Sequence, residues 1–244
     1  MRGPHNIWRL IRTGATLERT GAMNVVLDAF EAPRSLRFVA KVLGKPFMWL
    51  GYKGDPEMPP ATRALTALGP AYIKLGQVLS TRPDVVGDEL AVQLRVLQDK
   101  LPPFTIEEAK AEVERELGQP VDQIFSEFSE PVAAASIAQV HRARVAATGE
   151  DVAVKVLRPG IERAFGKDVD AFYLAARIME ICAPSARRLR PIEVIEHFDG
   201  VVQGELDLRL ESSAASEFAA NTVNDEGFQL PKIKWEYSAR RVMT

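Results

Sequence analysis

The sequence predicts an α+β protein, in which a small antiparallel sheet is combined with helices and preceded by a helical N-terminal extension. Three observations predict it. Apolar residues recur at three- and four-residue intervals through the first half, a hairpin pattern occupies roughly positions 131–157, and helical periodicity returns before short β-branched pieces at the end. With 244 residues, 46% hydrophobic and 26% charged, the chain has the makeup of a globular protein able to bury a sizeable core. Its net charge of -2 gives no general attraction to nucleic acid. The single cysteine, Cys182, allows no intramolecular disulfide and no cysteine cluster for zinc, which suits a reducing compartment and a structural thiol. The N-terminus lacks an apolar signal-peptide core, and nowhere do about 18 apolar residues run without a charge. No transmembrane segment is therefore expected, and any membrane contact would be peripheral. Residues 1–60 carry nine Lys/Arg against five Asp/Glu, an excess that suits a solvated helix face or an anionic surface.

Taken in order, residues 1–50 alternate apolar and basic positions in a helical manner, and the turn-rich stretch 51–60 marks a boundary. Leu65, Leu68, Tyr72, Leu75 and Leu79 then form a buried helical stripe broken at Gly69-Pro70. A second helix is expected over Asp88–Lys100, ending before Leu101-Pro-Pro103. A third begins at Thr105, where Thr-Ile-Glu-Glu108 matches a capping box, and stops at Gly118-Gln-Pro120. The alternating run Val140–Val145, the turn Ala147-Thr-Gly149 and the β-branched run Val152–Leu157 predict a hairpin. Helices follow over Asp168–Cys182 and Ile192–Asn221, then strand-like pieces at Ile233–Tyr237 and Arg241–Thr244. The domain division is accordingly 1–60 as a variable helical leader and linker, 61–120 as a helical extension, and 121–244 as the sheet-bearing part with a helical insertion. No cap or turn follows Thr244, which predicts that the chain is the front part of a longer protein.

The hairpin carries the chemistry. The phosphate-loop template of protein kinases, G-x-G-x-x-G-x-V, falls without a gap on Ala133, Ala135, Ala138 and Val140, so alanine stands at each glycine position. Val152-Ala-Val-Lys155 then matches the V-A-I-K strand, whose lysine pairs with nucleotide phosphates and a helix glutamate. Period-two alternation puts Ala153, Lys155 and Leu157 on one face, where a purine would lie against the alanine and phosphates against the lysine. A surface lysine on a half-buried strand is the simpler alternative. Glutamate partners lie in Gly204–Glu211: Asp207 and Glu211 are four apart, on one helical face, so their repulsion would be relieved by Lys155 or a bound magnesium ion. An acidic solvent face with Glu205 pairing to Arg209 is the alternative. Lys74, Gly76 and Gln77 share a helix segment in which glycine is costly, suggesting close approach of a ligand or of a second helix.

These motifs resemble the UbiB family of atypical protein-kinase-like proteins, which supports ubiquinone biosynthesis in bacteria and mitochondria. Lys74-Leu-Gly-Gln77 is similar to its K-x-G-Q motif, Ala133-Ala-Ala-Ser-Ile-Ala-Gln-Val-His141 to its alanine-rich loop, and Glu205-Leu-Asp207 to its E-x-D motif. The match runs from about Arg63 to Thr244. The resemblance implies a kinase-like N-lobe that binds ATP with Mg2+, with Lys155 and Glu211 as strand lysine and helix glutamate. Ala133, Ala134, Ala135, Ser136, Ala138, Val140 and Ala153 would line the nucleotide. Lys74, Gly76, Gln77, Glu205 and Asp207 would be regulatory, the K-x-G-Q helix folding over the site and blocking protein substrates. The implied activity is ATPase or small-molecule phosphorylation, with lipid or isoprenoid intermediates and other ubiquinone-biosynthesis proteins as partners. The implied setting is the cytoplasm, peripheral to a bacterial inner membrane. The catalytic aspartate and asparagine and the D-F-G aspartate belong to a C-lobe expected beyond Thr244, so no metal ligands are assigned here. His197-Phe-Asp-Gly200 precedes the E-x-D motif, out of order for a D-F-G, and is assigned to a helix surface. A non-catalytic nucleotide-sensing or scaffolding module, binding a partner through residues 63–118, is the competing reading.

Overall fold

In a computed structural model, the chain is described at residues 5–29, 32, 34–97, 103–182, 184–225, 227 and 229–244. It forms two compact units, residues 1–99 with 163–199 and residues 100–162 with 200–244, the division falling inside two helices. This division follows internal contacts, whereas the boundaries drawn from motifs follow sequence texture.

The first unit is helical. It contains α1 (His5–Thr20), α2 (Ala22–Ala29), α3 (Arg34–Phe47), a 3-10 turn at Met48–Leu50, α4 (Pro60–Leu68), α5 (Pro70–Ser80), α6 (Pro83–Val86) and α7 (Asp88–Leu94). The turn-rich stretch after Leu50 returns onto α1: Tyr52 N donates to Thr16 Oγ1 at 3.1 Å and Arg19 Nη1 donates to Gly51 O at 2.7 Å. The leucine stripe is divided between α4 and α5, because Gly69 has φ of 112°, a conformation that side-chain-bearing residues rarely adopt. Pro70 can then open the next helix, where its missing N–H has no partner to lose. The helix expected over Asp88–Lys100 ends at Leu94. Leu97 N bonds to Leu94 O at 3.0 Å as the chain turns off, and residues 98–102 lie outside the described part.

The second unit begins, in its described part, at Pro103 and contains α8 (Ile106–Leu117), α9 (Val121–Ile124), β1 (Phe125–Ala134), β2 (Ala138–Val145) and β3 (Asp151–Leu157). The capping box forms as expected. Thr105 Oγ1 accepts from Glu108 N at 3.2 Å and the Glu108 carboxylate accepts from Thr105 N at 3.0 Å, while Gly118 ends the helix in the left-handed region at φ 71°. The chain then passes through α10 (Ile161–Cys182), a 3-10 turn at Pro184–Leu189 and α11 (Pro191–Glu205), most of which belong to the first unit, and ends in the second with α12 (Leu208–Asn221), a 3-10 turn at Trp235–Tyr237 and β4 (Val242–Met243). The α10 helix starts seven residues earlier than its expected position at Asp168, because Gly160, at φ 70°, turns the chain directly after β3. Cys182 is exposed at its end, not a buried structural thiol.

Among the described residues the strands form one antiparallel sheet in the order β1-β2-β3-β4. One face packs on α8 around Phe104, Val113, Ile124, Phe125, Val154 and Val156. The Ile233–Tyr237 strand predicted from β-branched content is absent. Lys234 N donates to Thr244 O at 2.7 Å and Tyr237 N to Lys234 O at 3.0 Å, so the segment curls into a turn that lays the Tyr237 ring 6.0 Å from Phe125. No described helix is long and apolar enough to cross a membrane.

Candidate functional site

The site grows out of β3. Val154 and Val156 point into the core, leaving Ala153 and Lys155 on the opposite face, as period-two geometry requires. Leu157, expected beside them, is fully buried. The strand register places Ala133, Val140, Lys155 and Met243 in one row across the four strands. The lysine thus rises from an otherwise uncharged row. Its Nζ donates to both carboxylate oxygens of Glu211 at 2.7 Å.

Glu211 is in the first turn of α12, which starts where the single helix predicted over Ile192–Asn221 breaks. Asp207 causes the break. Its side chain accepts from Arg209 N at 3.1 Å as the N-cap, and its carboxylate also accepts from Arg209 Nε at 2.8 Å and Nη2 at 2.6 Å. The Arg209 hydrogen bonds hold the Asp207 carboxyl below its ordinary range. Two expectations are therefore corrected. Asp207 stands outside the helix and does not share a helical face with Glu211, and Arg209 pairs with Asp207 instead of Glu205, because a cap two residues away is nearer than the preceding helix end. Glu205, half-buried, is the last residue of α11.

The alanine-rich loop joins β1 to β2. Ala133 is exposed, Ala134, Ala135 and Val140 are half-buried, and Ser136 and Ala138 are buried. Among the described residues Arg190 is the one non-glycine with positive φ, so the loop occupies dihedrals open to any residue and alanine fits without strain. Ala135 N donates to Ala138 O, closing the turn internally, and Arg158 N, just past β3, donates to Ile137 O, both at 2.8 Å. The Ala135 amide is thereby engaged within the loop, unlike the outward amides that glycine-rich loops offer to phosphate. His197 is exposed on α11 and Phe198 buried beneath it, consistent with a helix surface for that tetrapeptide.

Gln139 and His141, on the buried side of β2, form a closed polar chain. Gln139 accepts from Phe104 N at 3.1 Å and donates to Phe104 O at 3.2 Å, lies 3.0 Å from His141 Nε2, and His141 Nδ1 lies 2.8 Å from Ser129 O. Only a carbonyl acceptor faces Nδ1, so the proton sits there and Nε2 accepts from the Gln139 amide. A second proton would set two donors against each other. Burial accordingly lowers the His141 pKa from its ordinary 6.5. The unfolded chain then binds the proton more readily, so stability is full above about pH 6.5 and declines as pH falls below it, by at most about 1.4 kcal/mol per pH unit. Urea midpoints measured from pH 8 to 5 are expected to show this decline in the wild type and a shallower one in His141→Gln.

Lys74, Gly76 and Gln77 are on α5, in the first unit. A β-carbon at Gly76 would overlap the δ-methyl groups of Leu65 and Leu97, so its bareness admits the crossing of α5 with α4 and the chain after α7. Gly76→Ala is expected to lower stability by about 1–3 kcal/mol through overpacking, read as a reduced melting temperature. Gln77 Nε2 reaches toward Leu97 O at 3.5 Å, and Lys74 is half-buried.

The sequence pattern of the ABC1 atypical kinase-like domain matches residues 96–244. The chain belongs to the UbiB family of ABC1 atypical kinase-like proteins. Among UbiB relatives, a protein named "Probable protein kinase UbiB" from Marinobacter nauticus is 43% identical over 181 residues, 74% of this chain and 33% of its own. Those of the same name from Azotobacter vinelandii and Aliivibrio fischeri are 38% and 40% identical, covering 96% and 89% of this chain and 44% and 40% of their own. The chain thus spans less than half the length of these UbiB relatives. Its sheet and helices are those of a kinase-like N-lobe.

The motifs of the UbiB resemblance missed two neighbours of the candidate site. Strand β1 is concealed by register shifts on either side of Pro131, whose missing donor is tolerated at a sheet edge, and Met243 joins the Lys155 row through pairing over 88 residues of sequence. Neither has a local signal strong enough to find it. For a nucleotide, the residues present fit: a cation over an uncharged row of small and apolar side chains. For a metal they supply less, since no group of three or more His, Cys, Asp or Glu suited to an ion occurs among the described residues. A magnesium ion here would depend largely on nucleotide phosphates.

Proposed function

We propose that the protein carrying this chain is a UbiB-type atypical kinase or ATPase that binds Mg-ATP against the Lys155 face and supports ubiquinone biosynthesis. One observation carries the reading: Lys155 bound by both oxygens of Glu211 above an uncharged cross-strand row of Ala133, Val140 and Met243. Such a pair, with side chains 27% and 47% exposed, adds at most about 1 kcal/mol to stability. Its value is in holding an ammonium extended where phosphate oxygens can meet it. The purine would lie over Ala153 and Val140, and the closed alanine loop would cover the phosphates with fewer free amides than a glycine loop.

In this reading Lys74, Gly76 and Gln77, with Glu205 and Asp207, exclude protein substrates. The acceptor is then a small molecule, of lipid or isoprenoid type, or water. The match to the K-x-G-Q and E-x-D motifs supports this assignment, as does the kinase naming of the bacterial relatives. A cytoplasmic site peripheral to the inner membrane follows from the same substrates.

Calorimetric titration with Mg-ATP, followed by phosphate-release assay, tests the proposal. Saturable one-site binding with phosphate release is the expected result. Absence of heat at millimolar nucleotide would refute ATP binding; binding without release would favour the nucleotide-sensing module.

A further inference from the structure

Two backbone hydrogen bonds tie the Lys155–Glu211 pair to one dipeptide. Arg241 O accepts from Leu157 N at 3.0 Å, two residues beyond Lys155, and Arg240 O accepts from Leu208 N at 2.8 Å, three residues before Glu211. Arg240-Arg241 therefore bridges the end of β3 and the first turn of α12. The Arg241 side chain fastens this bridge to the rest of the unit. It is 8% exposed, its Nε donates to Glu112 of α8, its Nη1 to Glu162 of α10, and its Nη2 to Arg158 O at 3.0 Å. Its own N–H donates to Glu116 Oε2 at 3.2 Å. Glu112 is 1% exposed and also accepts from Arg115.

We infer that Arg241 is a positioning residue for the Lys155–Glu211 pair. A guanidinium offers its donors in one rigid plane, so three acceptors on different segments fix its orientation and with it the carbonyls on both sides of the strap. A lysine carries its donors on a single nitrogen and cannot span these separated acceptors in one fixed plane. The lysine amine and the glutamate then approach because β3 and α12 are hung from adjacent carbonyls of one dipeptide, and the two groups meet at 2.7 Å. The importance of the pair for nucleotide rests on the function proposed above; the strap itself does not.

The test compares the wild type with Arg241→Lys, each shown to unfold cooperatively in urea. Amide exchange at Leu157 and Leu208 is expected to accelerate by about tenfold relative to Val113 of the same unit. The Kd for Mg-ATP is expected to rise about tenfold in the wild-type background and to stay nearly unchanged when Arg241→Lys is added to Glu211→Gln. Should Arg241→Lys fail to fold, the double variant Glu112→Leu with Arg241→Met removes both members of the buried Arg241–Glu112 pair together, leaving only the more exposed Glu162 and Arg115 to solvent, and supplies the same readouts. Unchanged relative protection at Leu157 and Leu208 overturns the strap. An affinity loss that persists undiminished in Glu211→Gln overturns positioning through the pair. A wild type that binds no nucleotide defeats the proposed function, and the exchange data still decide the strap.

Discussion

Lys155→Ala is expected to raise the Kd for Mg-ATP by about 10- to 100-fold, the equivalent of losing charge-assisted hydrogen bonds worth about 1.5–3 kcal/mol. Stability should hardly move, because the Lys155–Glu211 pair is only partly buried. Glu211→Gln should act more mildly, about tenfold, since the ammonium survives but loses the partner that orients it. The double variant should bind no more weakly than Lys155→Ala alone, because the glutamate acts through the lysine. Calorimetry on the four proteins, with melting temperatures as the control for folding, checks all of these. Equal affinity of wild type and Lys155→Ala would mean that nucleotide, if bound, does not touch this face.

Phe125→Ala is expected to destabilise the sheet-bearing unit by about 3–5 kcal/mol, a large share of the 5–15 kcal/mol typical of a domain. Phe125 is 2% exposed at the start of β1, with the rings of Phe128 and Tyr237 each 6.0 Å away. It belongs to the same core as Val154 and Val156, which seat β3 and therefore Lys155. Urea unfolding followed by tryptophan fluorescence should show an earlier midpoint, with Phe125→Leu losing less than about 1.5 kcal/mol. An unchanged midpoint for Phe125→Ala would show that the unit is held together elsewhere.

Where a signal was local, the sequence predicted the structure closely. Thr105 and Glu108 predicted a capping box from a four-residue pattern, and the turn at Ala147-Thr-Gly149 joined two strands whose alternation was already visible. The pairing of Lys155 with Glu211 was legible in the motifs, though not its geometry. Asp207 shows why. Its spacing to Glu211 suited one helical face, but an aspartate is also a strong N-cap, and that role, with Arg209 beside it, ended the helix. Ile233–Tyr237 failed in a similar way: β-branched and aromatic content describes a residue's fit to a half-buried surface, and a 3-10 turn under Phe125 offers one too.

The alanines of the β1–β2 loop illustrate the same division. Their register on the phosphate-loop template, the valine at 140 and the lysine at 155 follow from the sequence alone, because period and spacing are properties of the chain. That the loop needs no glycine, since its backbone stays at negative φ and the Ala135 amide closes onto Ala138 O, belongs to the folded state. So does the row joining Ala133, Val140, Lys155 and Met243, and so does the anchoring of Arg241 to Glu112 and Glu162. Sequence determined which segments could be strand, helix or cap, through interactions spanning a few residues. Only tertiary structure decided which side chains meet, because pairing between residues 56 to 129 positions apart depends on how the intervening chain packs.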